Sequence, residues 1–401
     1  MFSFGQPERQ SRIEWFQLLA LLALMVVGAM FVYSSTLAYE ANNTVWHKER
    51  YVRQIFWFIA GTGAAITMCL IDYRSLSRFS MVAYWGMILL LVLVLIPGVG
   101  AVVYGARRWF DLGFFKMQPS EFAKLAFIFA FANFLSRPVD ELRIPLNFLK
   151  ALALIGLPFV LIMKEPDLGS AIIFLPTGLV MMFVAGTPMR FLRRLVFGVG
   201  LLAVLFLVDV LFAPPQWQLK LEGYQKRRLL VYFGRDYATE NMKEAEKIIA
   251  RDQQRNDSHQ SRQALIAAGS GGFAGKGWCE GTQVGLGFLP PGAAHNDFIF
   301  SVIAEEKGFM GTALVVALYA VVLFTGIHIA GQARDRLGKL LAVGIVTMLF
   351  SHVFINIGMN IRLMPVTGVP LPLLSYGGSS VLCSLIAIGI LQNVNLYRRS
   401  Y

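Results

Sequence analysis

The chain has little charge: Asp, Glu, Lys and Arg make up 15% of its 401 residues, against 56% hydrophobic, and the mean hydropathy is +0.59. Soluble domains carry about a quarter charged residues, so the composition argues against a water-soluble fold. Cysteine is scarce too. Cys69 and Cys383 fall in apolar runs and Cys279 stands alone in a loop, which leaves no disulfide framework, only core filler and one free thiol. The first apolar run is too long for a signal-peptide core and lacks a convincing cleavage site, so it reads as a retained anchor. The glycine run "GSGGFAGKGW" lacks the GxxxxGK[ST] pattern, which excludes a nucleotide P-loop. No clear internal repeat is visible.

What the chain does have is long apolar runs. About 20 residues suffice to span a bilayer as a helix, and ten such spans occur, at 15–36, 52–71, 80–98, 119–136, 148–163, 168–186, 195–213, 298–330, 340–361 and 376–395. The eighth is too long for one straight crossing and is expected to start or end outside the lipid. The expected fold is an all-α polytopic membrane protein of about ten transmembrane helices. It is read as one membrane domain over 1–401 with one large extracytoplasmic loop, 214–296.

Basic residues orient the spans. With the N-terminus inside, the internal segments carry fifteen cations: Arg9, Arg12, Arg74, Arg78, Arg137, Arg143, Lys150, Arg190, Arg193, Arg194, Arg334, Arg336, Lys339, Arg398 and Arg399. The short external loops carry seven: Lys48, Arg50, Arg107, Arg108, Lys116, Lys164 and Arg362. Both termini are therefore expected in the cytoplasm. The net charge of +12 speaks of membrane topology and does not imply nucleic-acid binding. The external cations either snorkel to lipid phosphates or contact an anionic ligand, and Arg53 lies just inside the next span.

The 83-residue loop far exceeds ordinary connections, which points to function. Its middle, "TENMKEAEKIIARDQQRNDSHQSRQALIAAG", is polar and helix-prone and reads as a surface helix. The glycine run after it supplies flexible backbone and close approach. Asp297 then stands at the mouth of an apolar helix, where a lone acid is costly to keep. Asn296 or Asp297 is suited to cap span eight. Helical spacing also puts Asp297, Ser301 and Glu305 on one stripe, with Glu305 about 12 Å deeper, and such a stripe should face the bundle interior.

Other constellations flank this acid. Glu121 and Lys124 share a helical face behind Pro119, either as a mutually neutralising pair or as the lining of a wet cavity. Trp109, with Arg107 and Arg108, suits the membrane interface. Asp167 lies near a helix N-terminus, where capping explains it as well as ligand binding does. "RLMPVTGVPLPLLSYGGSS" carries Pro365, Pro370 and Pro372, which no regular helix tolerates. Such backbone survives at membrane depth only within protein or over a wet cavity. It is expected to form a re-entrant or plugging loop with Ser375, Ser379 and Ser380 as polar lining.

Seven ordered motifs carry a resemblance. They are "RQ" at Arg53, "RRWFDLGFFKMQPSEFAKLA", "EPDLGSA", "YQKRRLL", "IAAGSGGFAGKGWCEGTQ", "FLPPGAAHNDFIFSVIAEEKGFMG" and "NIGMNIRLMPVTGVPLPLLSYGGSS". From about 15 to 395 the chain resembles the shape, elongation, division and sporulation (SEDS) family of integral-membrane peptidoglycan glycosyltransferases. "GKGWCEGTQ" is closer to the rod-shape branch, RodA, than to the division branch, FtsW. Two departures stand out. The family's usual "LPExHTDF" reads "LPPGAAHNDF" here, and the segment between Arg228 and Ser270 is long and atypical.

The resemblance implies polymerisation of lipid II, an undecaprenyl-pyrophosphate-linked disaccharide-pentapeptide, at the outer face of the cytoplasmic membrane during cell elongation. It puts the essential acid at Asp297 and substrate-binding residues at Arg53, Arg107, Arg108, Glu121, Lys124, Asp167 and Ser375. It also implies a class B penicillin-binding protein, a transpeptidase, as activating partner within the elongation machinery. Asp297 as general base would take the proton of the acceptor hydroxyl. Arg53, Arg107, Arg108 and Lys124 suit the charge growing on a pyrophosphate leaving group. A divalent cation such as magnesium or manganese could share that task; no dedicated ligand cluster is visible, and metal dependence stays open. The alternatives are a lipid II flippase, an FtsW-like division polymerase and a scaffold in which Asp297 is dispensable. A carrier expects its key site near the bilayer midplane between paired half-helices. Polymer formed from lipid II by the purified protein in detergent, where transport is impossible, is the outcome that favours an enzyme.

Overall fold

The computed structural model describes residues 13–40, 49–103, 106–113, 115–212, 229–234, 254, 259–260, 262–289 and 292–399. Most of the large loop's polar middle, including "YQKRR", lies outside them. Ten long helices follow the expected spans closely: α1 (Trp15–Glu40), α2 (Arg50–Leu70), α3 (Ser80–Leu95), α4 (Pro119–Leu135), α5 (Pro145–Lys164), α6 (Leu168–Val184), α7 (Met189–Phe212), α8 (Ile299–Gln332), α9 (Arg336–Asn360) and α10 (Gly378–Leu396). Seven are long and apolar enough to cross a membrane, α3 and α6 are shorter apolar helices, and α4 carries Glu121 and Lys124. The protein is an all-α polytopic membrane protein.

Its centre is α9 and α10, the most enclosed of the seven long spans. Lipid gives helices no hydrophobic reason to associate, so close approach and dispersion must hold them. Gly389 of α10 provides that approach: a Cβ there would sit 2.5 Å from the Ala65 carbonyl oxygen of α2, so only glycine fits the crossing. At one end of the bundle, Asp335 caps α9 through the Gly338 amide (3.0 Å) and accepts from the Tyr73 hydroxyl (2.6 Å) and Arg74 Nε (3.0 Å).

The long eighth span resolves into two pieces. Gly308 has φ 61° and ψ −159°, which breaks the helix where only glycine adopts the backbone freely. The segment 271–277 fills the break. Lys276 N donates to Glu305 O (3.0 Å), Gly277 N to Glu306 O (3.1 Å), Phe309 N to Gly272 O (2.9 Å) and Met310 N to Phe273 O (3.1 Å). Backbone groups freed by the kink are thus satisfied within the protein, as membrane depth requires. A Cβ on Gly275 would lie 2.2 Å from Glu306 O, which is why the run is glycine-rich.

Proline leaves a similar gap in α5. Pro158 has no N–H to offer the carbonyl of Leu154 one turn back, and the Tyr84 hydroxyl of α3 donates to that oxygen instead, at 3.0 Å. Tyr84→Phe should therefore cost about 1–3 kcal/mol, the usual penalty of an unsatisfied buried acceptor. Thermal unfolding in detergent should register the loss, and adding Pro158→Ala should recover part of it; an unchanged Tm would refute the role.

Candidate active site

Where the sequence reads as apolar and interfacial, the structure forms a small antiparallel meander. It comprises β1 (Ala101–Val103), β2 (Ala106–Asp111) and β3 (Lys116–Met117), with Val102 paired to Arg107 and Phe110 to Met117. Asp111 Oδ1 accepts from Gly113 N (3.0 Å) and Gly113 takes φ 83°, the turn that aims β2 and β3 over the bundle. Facing it is the proline-rich segment 361–377. This is non-helical as expected, with Gly368 at φ 78° and Leu373 at φ 66°.

That segment is stitched to the turn carrying Asp297. Asn356 Nδ2 donates to Val369 O (2.7 Å) and to Asp297 O (3.0 Å), while Asn360 Nδ2 donates to Asp297 O (3.0 Å). Ser375 Oγ donates to Asn296 O (2.5 Å) and accepts from Leu371 N (2.8 Å), and Tyr376 N donates to His295 O (2.9 Å). Gln54 of α2 holds the Ser375 carbonyl at 3.1 Å. One loop and two helices, α9 and α2, thereby fix one short turn.

Between these elements lies a cavity of about 390 Å³. Arg53 and Trp57 of α2, Arg108, Trp109 and Asp111 of β2, and Lys116 and Gln118 form one side. Asp167 and Ser170 at the start of α6, Asn296, Gly368, Pro370, Tyr376 and Gly377–Ser380 form the other. Three cations, Arg53, Arg108 and Lys116, thus share one chamber with Asp111 and Asp167. Trp109 lines the chamber, with the Arg108 guanidinium 5.9 Å from its ring.

The expected site residues divide. Arg53, Arg108 and Asp167 line the cavity, as do Ser379 and Ser380. Asp297 adjoins it: a Cβ on the lining residue Gly368 would lie 3.7 Å from Asp297 Oδ2. Neither Asn296 nor Asp297 caps α8, whose cap position is Phe298 without a side-chain bond. Because the helix begins at Ile299, Asp297 is not on the helical stripe with Ser301 and Glu305. Those two are fully buried as expected but are used structurally. Ser301 Oγ donates to Asn360 (2.6 Å), and Glu305 accepts from Lys276 Nζ (2.6 Å), Thr282 Oγ1 (2.9 Å) and Gln283 N (3.1 Å).

Four expected lining residues are elsewhere. Arg107 is half-buried on β2 but does not line the cavity. Ser375 is 2% exposed and serves the stitching, its hydroxyl spent on two backbone groups. Glu121 and Lys124 form a buried ion pair at 2.6 Å, and Lys124 Nζ also donates to His352 Nε2 (2.7 Å), whose Nδ1–H is occupied by Met348 O (2.9 Å). The neutralising pair, not the wet lining, is what the fold builds. Asp167 is a cap that also lines the wall: Oδ1 caps α6 through Ser170 N (3.2 Å) and Oδ2 accepts from Gln118 Nε2 (2.9 Å).

Sequence reasoning missed Trp57, Gln118, Tyr376 and, behind the wall, Glu165. Arg108 Nε donates to the Glu165 carbonyl at 2.9 Å, and the same guanidinium reaches the Pro166 carbonyl. The Glu165 carboxyl is fully buried and makes no hydrogen bond among the described residues. Burial first, then the neighbouring Asp167, push its pKa from 4.5 to about 9, against the pull of Arg108. The folded protein therefore keeps this proton to about pH 9, whereas the unfolded chain releases it near 4.5. Between those values the unfolded state binds fewer protons, so stability falls as pH rises. Glu165→Gln should remove that slope and raise Tm at pH 8 relative to the wild type; parallel profiles would contradict a neutral Glu165.

The FtsW/RodA/SpoVE family of cell cycle proteins matches residues 14–400. Among curated relatives, peptidoglycan glycosyltransferase MrdB of Escherichia coli K12 is 35% identical over 382 residues, covering 95% of this chain and 93% of that protein. Stage V sporulation protein E of Bacillus subtilis is 36% identical over 385 residues, covering 94% and 95%. Peptidoglycan glycosyltransferase RodA of Treponema pallidum is 33% identical over 437 residues, covering 96% and 98%. Among solved structures, a chain from a peptidoglycan synthase complex that coordinates polymerization and crosslinking superposes with TM-score 0.73 at 27% identity, covering 97% of this chain and 99% of that one. The rod shape determining protein RodA of Thermus thermophilus gives 0.66 at 26%, covering 98% and 100%. By sequence and by fold, over nearly its whole length, the chain belongs to the FtsW/RodA/SpoVE family.

Proposed function

We propose that this chain is a peptidoglycan glycosyltransferase that polymerises lipid II, with the cavity beside Asp297 as its active site. The observation that carries the reading is one chamber holding Arg53, Arg108 and Lys116 against a carboxylate fixed by its own backbone carbonyl. The pyrophosphate of the donor lipid takes the cations. Arg108 is braced for this by the carbonyls of Glu165 and Pro166, so its guanidinium is oriented before substrate arrives. Asp297 accepts the proton of the acceptor sugar hydroxyl as that oxygen attacks the anomeric carbon, and the pyrophosphate leaves from the opposite side with inversion. Gly368 between Asp297 and the chamber keeps the path to the carboxylate short.

Among the described residues no three His, Cys, Asp or Glu side chains converge to hold a metal ion. Charge neutralisation is assigned to the guanidinium and ammonium groups that line the chamber, a task that a divalent cation could share. The distribution of basic residues supports cytoplasmic termini in the cytoplasmic membrane, which puts the cavity on the outer face. A penicillin-binding transpeptidase of class B is the partner that the resemblance and the complex-forming structural neighbour favour. "GKGWCEGTQ" supports the elongation branch over the division branch. A flippase needs a path through the bundle, and the buried Glu121–Lys124–His352 cluster argues against one on this side.

Asp297→Asn should leave the monodisperse, folded protein intact and abolish glycan polymerisation from labelled lipid II. Polymer at wild-type rate would overturn the base assignment.

A further inference from the structure

α6 and α7, joined by the turn 185–188, barely touch, and α7 is the least enclosed of the long spans. Between them, next to that turn, runs an apolar groove of about 470 Å³. Leu179 and Phe183 of α6 form one wall; Leu192, Val196 and Phe197 of α7 form the other. A single charged side chain, Arg193, enters the lining. Arg190 and Arg194 are exposed beside it, Arg190 one turn back on the same flank and Arg194 the next residue along the helix. None of the three forms an ion pair among the described residues. The nearby acids Asp140 and Glu141 are already engaged by Arg143 (3.2 Å) and Arg137 (3.8 Å). The groove lies at the opposite end of α6 from Asp167 and Ser170, and so away from the active-site cavity.

We propose that this groove binds an anionic phospholipid, one acyl chain seated between α6 and α7 and the phosphate on Arg193, with Arg190 and Arg194 flanking it. Bulk lipid covers convex helix faces without specificity. A concave gap between two poorly packed helices is different: left empty, it forfeits the dispersion contacts of both walls. A chain lying in it supplies the packing that α6 and α7 do not make with each other. The three guanidiniums then select the headgroup, because cations clustered between helices at headgroup depth attract anionic lipid. The lipid acts as a structural ligand that holds α7 at its angle to the bundle. None of the residues involved belongs to the proposed active site.

Delipidated protein in detergent, titrated with phosphatidylglycerol or phosphatidylcholine of identical acyl chains and read by native mass spectrometry, tests this. The wild type should retain phosphatidylglycerol in preference to phosphatidylcholine. Arg193→Gln should weaken phosphatidylglycerol about fivefold, and the triple Gln variant at 190, 193 and 194 by about a hundredfold. Arg193→Lys should restore most of the loss. Val196→Trp, which fills the groove and keeps every charge, should also abolish retention. Equal retention of the two lipids would overturn the proposal, as would phosphatidylglycerol binding untouched by both Arg193→Gln and Val196→Trp. Loss with the arginine variants but not with Val196→Trp would reduce the site to interfacial charge and overturn the groove.

Discussion

Backbone that leaves the helix inside a bilayer must find its partners in the protein, and this constraint organises the whole active region. Besides the β meander, the described chain leaves helix at the cavity end at 292–298 and at 361–377, and it breaks once more at Gly308. Each departure is answered from elsewhere in the fold. Asn356 and Asn360 hold the Asp297 carbonyl, Ser375 holds that of Asn296, and the glycine run 271–277 completes the ladder across the kink. An acid whose main chain is pinned by two amide side chains has little freedom to swing, so its carboxylate is pre-positioned at no cost during reaction.

The same constraint explains why so many polar residues near the cavity do not touch it. Ser301, Glu305, Ser375, Glu121, Lys124 and His352 are buried and spend their hydrogen bonds on backbone or on other side chains of the frame. They hold rigid the frame that keeps Arg53, Arg108 and Lys116 around one chamber. Glu165 is the exception that the frame tolerates by leaving it protonated, while its carbonyl braces Arg108.

Much of this was legible in the sequence, for physical reasons. Apolar runs of bilayer length have few alternatives to helix, so all ten spans fell within a few residues of their observed bounds. Three prolines in nineteen residues could not be helix, and 361–377 is not. What stayed hidden was direction. Spacing can put Asp297, Ser301 and Glu305 on one stripe only if the helix reaches Asp297, and it starts at Ile299. Ser375 and Ser379 look alike in sequence and both bond backbone, yet only Ser379 lines the cavity. The meander that aims Arg108 and Trp109 had a readable signal in its Asp-Leu-Gly turn flanked by aromatic pairs, masked by the apolar span before it.

The central claim is that a pyrophosphate and an acceptor sugar meet in this chamber with the Asp297 carboxylate between hydroxyl and solvent. A structure of the protein with lipid II bound measures that directly. The account predicts the pyrophosphate on Arg53 and Arg108, and Asp297 within about 2.6–3.2 Å of the acceptor oxygen. Pyrophosphate seated outside the chamber, or an Asp297 carboxylate still walled off behind Gly368, would contradict it.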